Sequence, residues 1–136
     1  MKLSEDIKRL AEFHGHLGPY LIVGKKMGEL SNELLGVETG AGKGHFHKRA
    51  LVKTGTTPPI SCIIDGIQYT SGCTLGKGNI EVIDQKKPEV IFTLDDKELI
   101  IKLKIKIDTT NRDLEEVAME INQKTYEELF EIIQNF

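Results

Sequence analysis

The sequence is poor in cysteine, and that sets the first limit. Two thiols in 136 residues cannot build a disulfide framework. In a reducing compartment such thiols are buried, ligating or reactive. Unbalanced charge is also missing: a formal net charge of −3 gives no basic field, which excludes nucleic acid as a default partner. No run approaches the roughly 20 apolar residues that span a bilayer. The opening MKLSEDIKRLAEF is charged and amphipathic, without an apolar signal core. A cytoplasmic protein with no membrane attachment is expected. Nucleotide loops are missing as well: Gly42-Lys43 and Gly76-Lys77 have Val37 and Ser71 where a phosphate loop needs its first glycine, and no Ser or Thr follows either lysine. Gly40-Ala41-Gly42-Lys43-Gly44 also misses the dinucleotide spacing and precedes a strand. No nucleotide cofactor is expected.

What is present suits one domain over residues 1–136, with 39% hydrophobic residues to bury in a core. Leu3, Ile7, Leu10 and Ala11 recur at helical spacing, which predicts a first helix that stops at His14-Gly15-His16. Pro19 suits the first turn of a second helix running through Leu35 to a Gly36 stop. Gly24, Gly28 and Ser31 in its interior mark a face for close packing, and a dimer contact is expected there or on the neighbouring motif loops. An extended run from about Gly44 to Lys53 follows a glycine loop, and Ser61 is expected to cap a third helix that Gly72 ends.

Strands are expected at Ile80 to Asp84, Glu89 to Leu94 and Leu99 to Ile107, with Asp95-Asp96-Lys97 as a hairpin turn. The last strand is the clearest, because Ile101, Leu103, Ile105 and Ile107 alternate with Lys102, Lys104 and Lys106. From Asn111 onward the pattern is helical, with a Thr125/Glu128 capping box restarting the helix after Asn122. The order α-α-β-α-β-β-β-α predicts an α+β fold, a mixed sheet with helices packed mainly on one face.

The chemistry concentrates in PPISCIIDGIQYTSGCTLGKGNI, which holds both cysteines. Cys62 at the first helical position should be stabilised as a thiolate by the helix N-terminus, and Asp65 follows one turn later. The alternative is a small buried hydrophobe. A continuous helix would separate Cys62 and Cys73 by roughly 16 Å, but Gly72 allows the chain to turn back. Cys73 is thus either a further member of the site or a packed thiol. All four histidines fall in two His-x-His pairs, His14/His16 and His45/His47, each able to offer two imidazoles to one metal or else simply neighbours. His16 precedes one helix start and Cys62 opens another, so two electropositive helix ends could converge on a metal or a small anionic substrate. A mixed Cys/His/Asp shell favours zinc or another transition metal over magnesium or calcium.

FHGHLGPYLIVGKKMG together with PPISCIIDGIQYTSGCTLGKGNI resembles the FmdE or FwdE family, the small FmdE-type subunits of formylmethanofuran dehydrogenase, in motif content, order and spacing. The resemblance implies an α+β core of the type shared with the catalytic domain of glyceraldehyde-3-phosphate dehydrogenase, a homodimer, and a pocket where the motif residues meet, often with a metal. The matching positions are His14, His16, Cys62, Asp65, Gln68, Cys73, Lys77 and Asn79. Of these, His16, Cys62, His14 and Cys73 are the implied metal set, Cys62 and Asp65 the catalytic candidates, and Gln68, Lys77 and Asn79 the ligand-binding ones. Gly18 departs from the pattern, since many relatives carry cysteine there. The chain also reads as the core domain without the C-terminal zinc ribbon of longer relatives.

Three functions fit these residues. One is a metal-binding protein associated with formylmethanofuran dehydrogenase or a related one-carbon, methanogenesis, molybdenum or tungsten system, with dehydrogenase subunits as partners. Another is an independent enzyme using Cys62 as nucleophile or a metal-bound water. The third is a scaffold without catalysis.

Overall fold

A computed structural model describes residues 3–36 and 47–136. In chain order the elements are α1 (Glu5–His14), α2 (Pro19–Leu35), β1 (Lys48–Val52), α3 (Cys62–Ser71), a short 3-10 turn (Leu75–Lys77), β2 (Ile80–Val82), β3 (Glu89–Leu94), β4 (Lys97–Leu103), α4 (Leu114–Asn122), α5 (Tyr126–Leu129) and β5 (Phe130–Asn135). The strands form one mixed sheet in the order β2-β1-β3-β4-β5; β1 and β2 are parallel and the other pairs antiparallel. The expected α+β class with a mixed sheet is what the chain adopts, and α2 packs on β3 and β4 from one side.

Local chemistry accounts for most boundaries. Pro19 occupies the first turn of α2, where an N–H has no partner to lose, and Gly36 ends the helix at a left-handed φ of 76°. The β3–β4 hairpin turns on Asp95 at a φ of 55°. Thr125 and Glu128 form the expected capping box, but the helix it opens lasts a single turn. Phe130–Asn135 then runs as β5 along the free edge of β4, from Glu98↔Asn135 to Leu103↔Phe130. The helical pattern expected from Asn111 to the end holds at α4 and α5, but its last part is replaced by a strand, because an open sheet edge offers Phe130–Asn135 a ladder of backbone hydrogen bonds.

Glycines set the distance between α2 and α3. A Cβ at Gly24 would run into the backbone of Ile63, one at Gly66 into the backbone of Leu21 and Lys25, and one at Gly28 into Thr70. Contact positions rise together along both helices, so α2 and α3 are parallel, with N-termini at one end and C-termini at the other. The close-packing face of α2 is consumed inside the chain, so it is not open to the dimer contact expected there.

Lys48 lies where the two C-terminal ends meet. Its side chain is fully buried, yet its ammonium donates to Ser31 Oγ (2.7 Å), Asn32 Oδ1 (2.6 Å) and the Ser71 carbonyl (3.1 Å). It also sits 5.2 Å from the centre of the Phe92 ring. A cation at the C-termini of two parallel helices meets the negative ends of both dipoles. Burial nevertheless pushes the Lys48 pKa down to about 8, with the neighbouring Cys73 pulling it partly back.

The unfolded chain holds this proton up to the ordinary value of 10.5 while the folded chain releases it near 8. Between those values the unfolded state binds more protons, so the protein gains stability as pH rises. Urea unfolding should show the wild type gaining on Lys48→Met across that window, at up to about 1.4 kcal/mol per pH unit. Parallel stability curves would show that Lys48 does not titrate there.

Candidate metal centre

Parallel packing of α2 and α3 brings their N-termini together, and the motif residues gather at that end. His14 is the last residue of α1, and Gly15 at a φ of 111° turns the chain back on itself. His16 follows in the short connection to α2, and Cys62 opens α3. Phe13 and Tyr69, with ring centres 6.0 Å apart, hold the end of α1 against α3. The ligand atoms of His14, His16 and Cys62 lie within 4.8 Å of one another. The two imidazole centres are 4.8 Å apart.

The hydrogen bonding of His14 is incomplete in an informative way. Its Nδ1 lies 2.6 Å from Asp65 Oδ2, which fixes the ring and places Nε2 as the free donor atom. That Nε2 is buried and has no hydrogen-bond partner. A buried polar atom without a partner costs about 1–3 kcal/mol, and a metal ion held with His16 and Cys62 would remove that cost. Carboxylate-to-histidine hydrogen bonding of this type orients metal-ligating imidazoles and raises their basicity. The donor set therefore fits a transition metal on its chemistry.

Two hollows flank the cluster. One, of about 170 Å³, is walled by Pro19, Tyr20, Leu21, Pro59, Ile107, Thr109 and Leu114, with His16, Gly18 and Cys62 beside the cluster. A more open one, of about 260 Å³, lies on the His14 and Asp65 side. No lysine or arginine among the described residues lines either.

Cys62 differs electrostatically from the expectation. Burial pushes its thiol up, and the Asp65 carboxylate pushes it further. Ser61 does not cap α3: it is itself helical, with φ −67° and ψ −12°, and makes no side-chain cap bond. The turn before it supplies carbonyls instead, Pro59 to the Cys62 N–H (3.1 Å) and Ile60 to the Ile63 N–H (3.2 Å). Those N–H groups are no longer available to a thiolate.

Of the remaining motif residues, Gln68 touches the site through Asp65, and Cys73, Lys77 and Asn79 are placed apart from it. Cys73 is fully buried in the core, its Sγ 3.7 Å from the Lys48 carbonyl, because Gly72 sends the chain beneath β1. The Cys73 thiol is pushed up by burial. Asn79 binds the Lys48 and Gly72 carbonyls (3.0 and 3.3 Å) and accepts from the Thr74 N–H (2.8 Å). Gln68 accepts from the Leu75 N–H (3.0 Å) and donates to Asp65 (3.3 Å), and Lys77 donates to Thr74 Oγ1 (3.0 Å). These three side chains fold the 72–79 loop against α3 and β1. His47 is exposed, and His45 lies outside the described residues. Lys48 drew no notice as a sequence, since a lysine in an alternating strand reads as a solvated residue.

Residues 13–135 match the profile of the FmdE family, described as "FmdE, Molybdenum formylmethanofuran dehydrogenase operon". A probable S-adenosyl-L-methionine-binding protein of Archaeoglobus fulgidus is 34% identical over 87 residues, which is 63% of this chain and 22% of that protein. The chain thus spans less than a quarter of that relative. The crystal structure of an FmdE-like protein of the tungsten formylmethanofuran dehydrogenase type, from Syntrophus aciditrophicus, superposes with a TM-score of 0.58 at 16% identity, over 96% of this chain and 70% of that one. That likeness shows a shared fold.

In metal-free protein, the alkylation rate of Cys62 against pH should report an apparent pKa above that of a free cysteine, about 8.5. Cys73 should react only on unfolding. A Cys62 that ionises below the free value would restore the helix-terminus argument that the turn before α3 removes.

Proposed function

The chain belongs to the FmdE family, and from that premise we propose a cytoplasmic metal-binding protein in which His14, His16 and Cys62 hold one zinc or comparable transition ion. Asp65 orients His14 and keeps its Nε2 aimed at the ion. The observation that carries this reading is the buried, partnerless Nε2 of His14 beside two further donors. Bound there, the ion supplies Lewis acidity to whatever occupies its remaining position. Membership of the family supports a role beside formylmethanofuran dehydrogenase or a related one-carbon, molybdenum or tungsten system, with dehydrogenase subunits as partners.

A second reading, an enzyme acting on a small molecule, is favoured by the hollow at Gly18. Three protein donors leave a coordination position open, and closed four-ligand shells are the structural ones. A Cβ at Gly18 would stand 3.4 Å from His16 Cε1, so a side chain there would lie against the His16 ring. Glycine keeps that side open toward a pocket with mainly apolar walls. Such walls favour a small, largely apolar molecule, and with no lysine or arginine among the described lining residues an anionic group would lean on the metal. In that reading the ion and Asp65 carry the chemistry, because the raised Cys62 pKa weakens it as a free nucleophile.

Protein purified without an affinity tag should carry close to one zinc or similar metal per chain by elemental analysis. His14→Ala, His16→Ala and Cys62→Ser should each lose most of it, whereas His45→Ala and His47→Ala should keep it. Asp65→Asn should weaken binding by about 10- to 100-fold. Gly18→Cys should strengthen it by about tenfold or more by closing the shell. Protein that stays metal-free after zinc loading would defeat this reading, and loss of metal in the His45 or His47 variants would move the site.

A further inference from the structure

A line of hydrogen bonds runs from an exposed turn to the candidate metal centre. The Leu75 N–H donates to Gln68 Oε1 (3.0 Å), Gln68 Nε2 donates to Asp65 Oδ1 (3.3 Å), and Asp65 Oδ2 lies 2.6 Å from His14 Nδ1. The members come from the 3-10 turn, α3 and the end of α1, so the line crosses the fold from one element to the next. Leu75 is 78% exposed, whereas His14 Nε2 at the far end is buried and partnerless.

We propose that Gln68 and the Leu75 N–H form a positioning relay that acts through Asp65 to hold the proton of His14 on Nδ1, which leaves the Nε2 lone pair bare for the ion. This rests on the three-donor metal site proposed above and names what controls one of its donors. A backbone N–H can only donate, so the Gln68 amide must turn its oxygen to Leu75. Its NH2 group is then turned to Asp65. Reversing the amide would set nitrogen against nitrogen at Leu75 and oxygen against oxygen at Asp65. Gln68 follows Asp65 by three residues on α3, and helix geometry therefore presents it to the carboxylate oxygen that His14 does not use. With Oδ1 held in this way, Oδ2 stays on His14 Nδ1. Asp65 is only half-buried, and a carboxylate free to turn would exchange that contact for water. The neutral imidazole is then free to carry its proton on Nε2, where it blocks a metal.

Position 75 lets the first donor be removed without rebuilding the turn. Leu75 opens the 3-10 turn, and Thr74 before it is extended at φ −133° and ψ 156°. Proline is accepted at the first position of a helical turn and favours an extended residue before it. Leu75→Pro and Leu75→Ala both give up an exposed side chain, but only the proline gives up the N–H.

Chelator competition with zinc alone should show Leu75→Pro binding about threefold more weakly than Leu75→Ala, and Gln68→Ala about fivefold more weakly than wild type. Gln68→Glu turns a second carboxylate on Asp65 and should lose more, about tenfold. In an Asp65→Asn background Gln68→Ala should cost little further, because its effect passes through Asp65. Nitrogen NMR of the metal-free protein reads the proton of the neutral His14 ring directly. It should lie on Nδ1 in wild type and be shared with Nε2 in Gln68→Ala and Leu75→Pro. Ring spectra of His14 that both variants leave unchanged, or a Gln68→Ala loss that adds in full to that of Asp65→Asn, would overturn the relay. A wild type that binds no zinc while its variants shift the His14 proton would support the relay and defeat the metal reading instead.

Discussion

Everything at the candidate centre depends on how closely α2 and α3 approach each other. Three glycines in the contact remove the side chains that would hold the two helices apart. Because the helices run parallel, that one contact fixes both of their ends. At the N-terminal end the residues just before α2 and at the start of α3 meet, which puts His16 beside Cys62 and lets His14 reach Asp65. At the C-terminal end the last turns meet, and Lys48 bonds to both. Widening the helix pair by even the width of a methyl group would open the donor cluster and strand a buried ammonium at the same time. Interiors packed to crystal density transmit such shifts instead of absorbing them.

The two ends have opposite electrostatic needs, and the fold meets them differently. The C-terminal end concentrates carbonyl groups, and a cation is the group that satisfies them. At the N-terminal end the turn before α3 already uses the leading N–H groups. What remains there is a half-buried thiol, two imidazoles and a carboxylate, a set that is uncomfortable without a cation. Burial raises the Cys62 pKa and Asp65 adds to it, while the same carboxylate steadies His14. The same carboxylate therefore disfavours a bare thiolate and favours a bound metal ion.

Much of this arrangement was legible in the sequence, for identifiable reasons. Pro19, Gly36 and Gly72 state where helices begin and end, and Leu99, Ile101 and Leu103 alternating with Lys102 state the faces of β4, although the strand expected to reach Ile107 stops at Leu103. His16 and Cys62 could be placed together because each marks a helix start. Three features were not legible. β5 was hidden because Ile132 and Ile133 are both apolar, one on each face of the sheet, and two adjacent apolar residues fit a helix as well as a strand. Lys48 was hidden because nothing local distinguishes a lysine that neutralises two helix ends from one that faces water. The division of labour between the cysteines depends on the path after Gly72, which carries Cys73 under β1 and leaves Cys62 with the histidines.

The claim at the centre of this account is that one sulfur and two imidazoles share a metal ion. X-ray absorption at the zinc edge of the loaded protein reads that shell directly. One sulfur at about 2.3 Å, with nitrogen or oxygen at about 2.0–2.1 Å and scattering from two imidazole rings, is the result predicted. A shell with no sulfur, or with two, would contradict it, the first by removing Cys62 from the site and the second by bringing Cys73 out of the core.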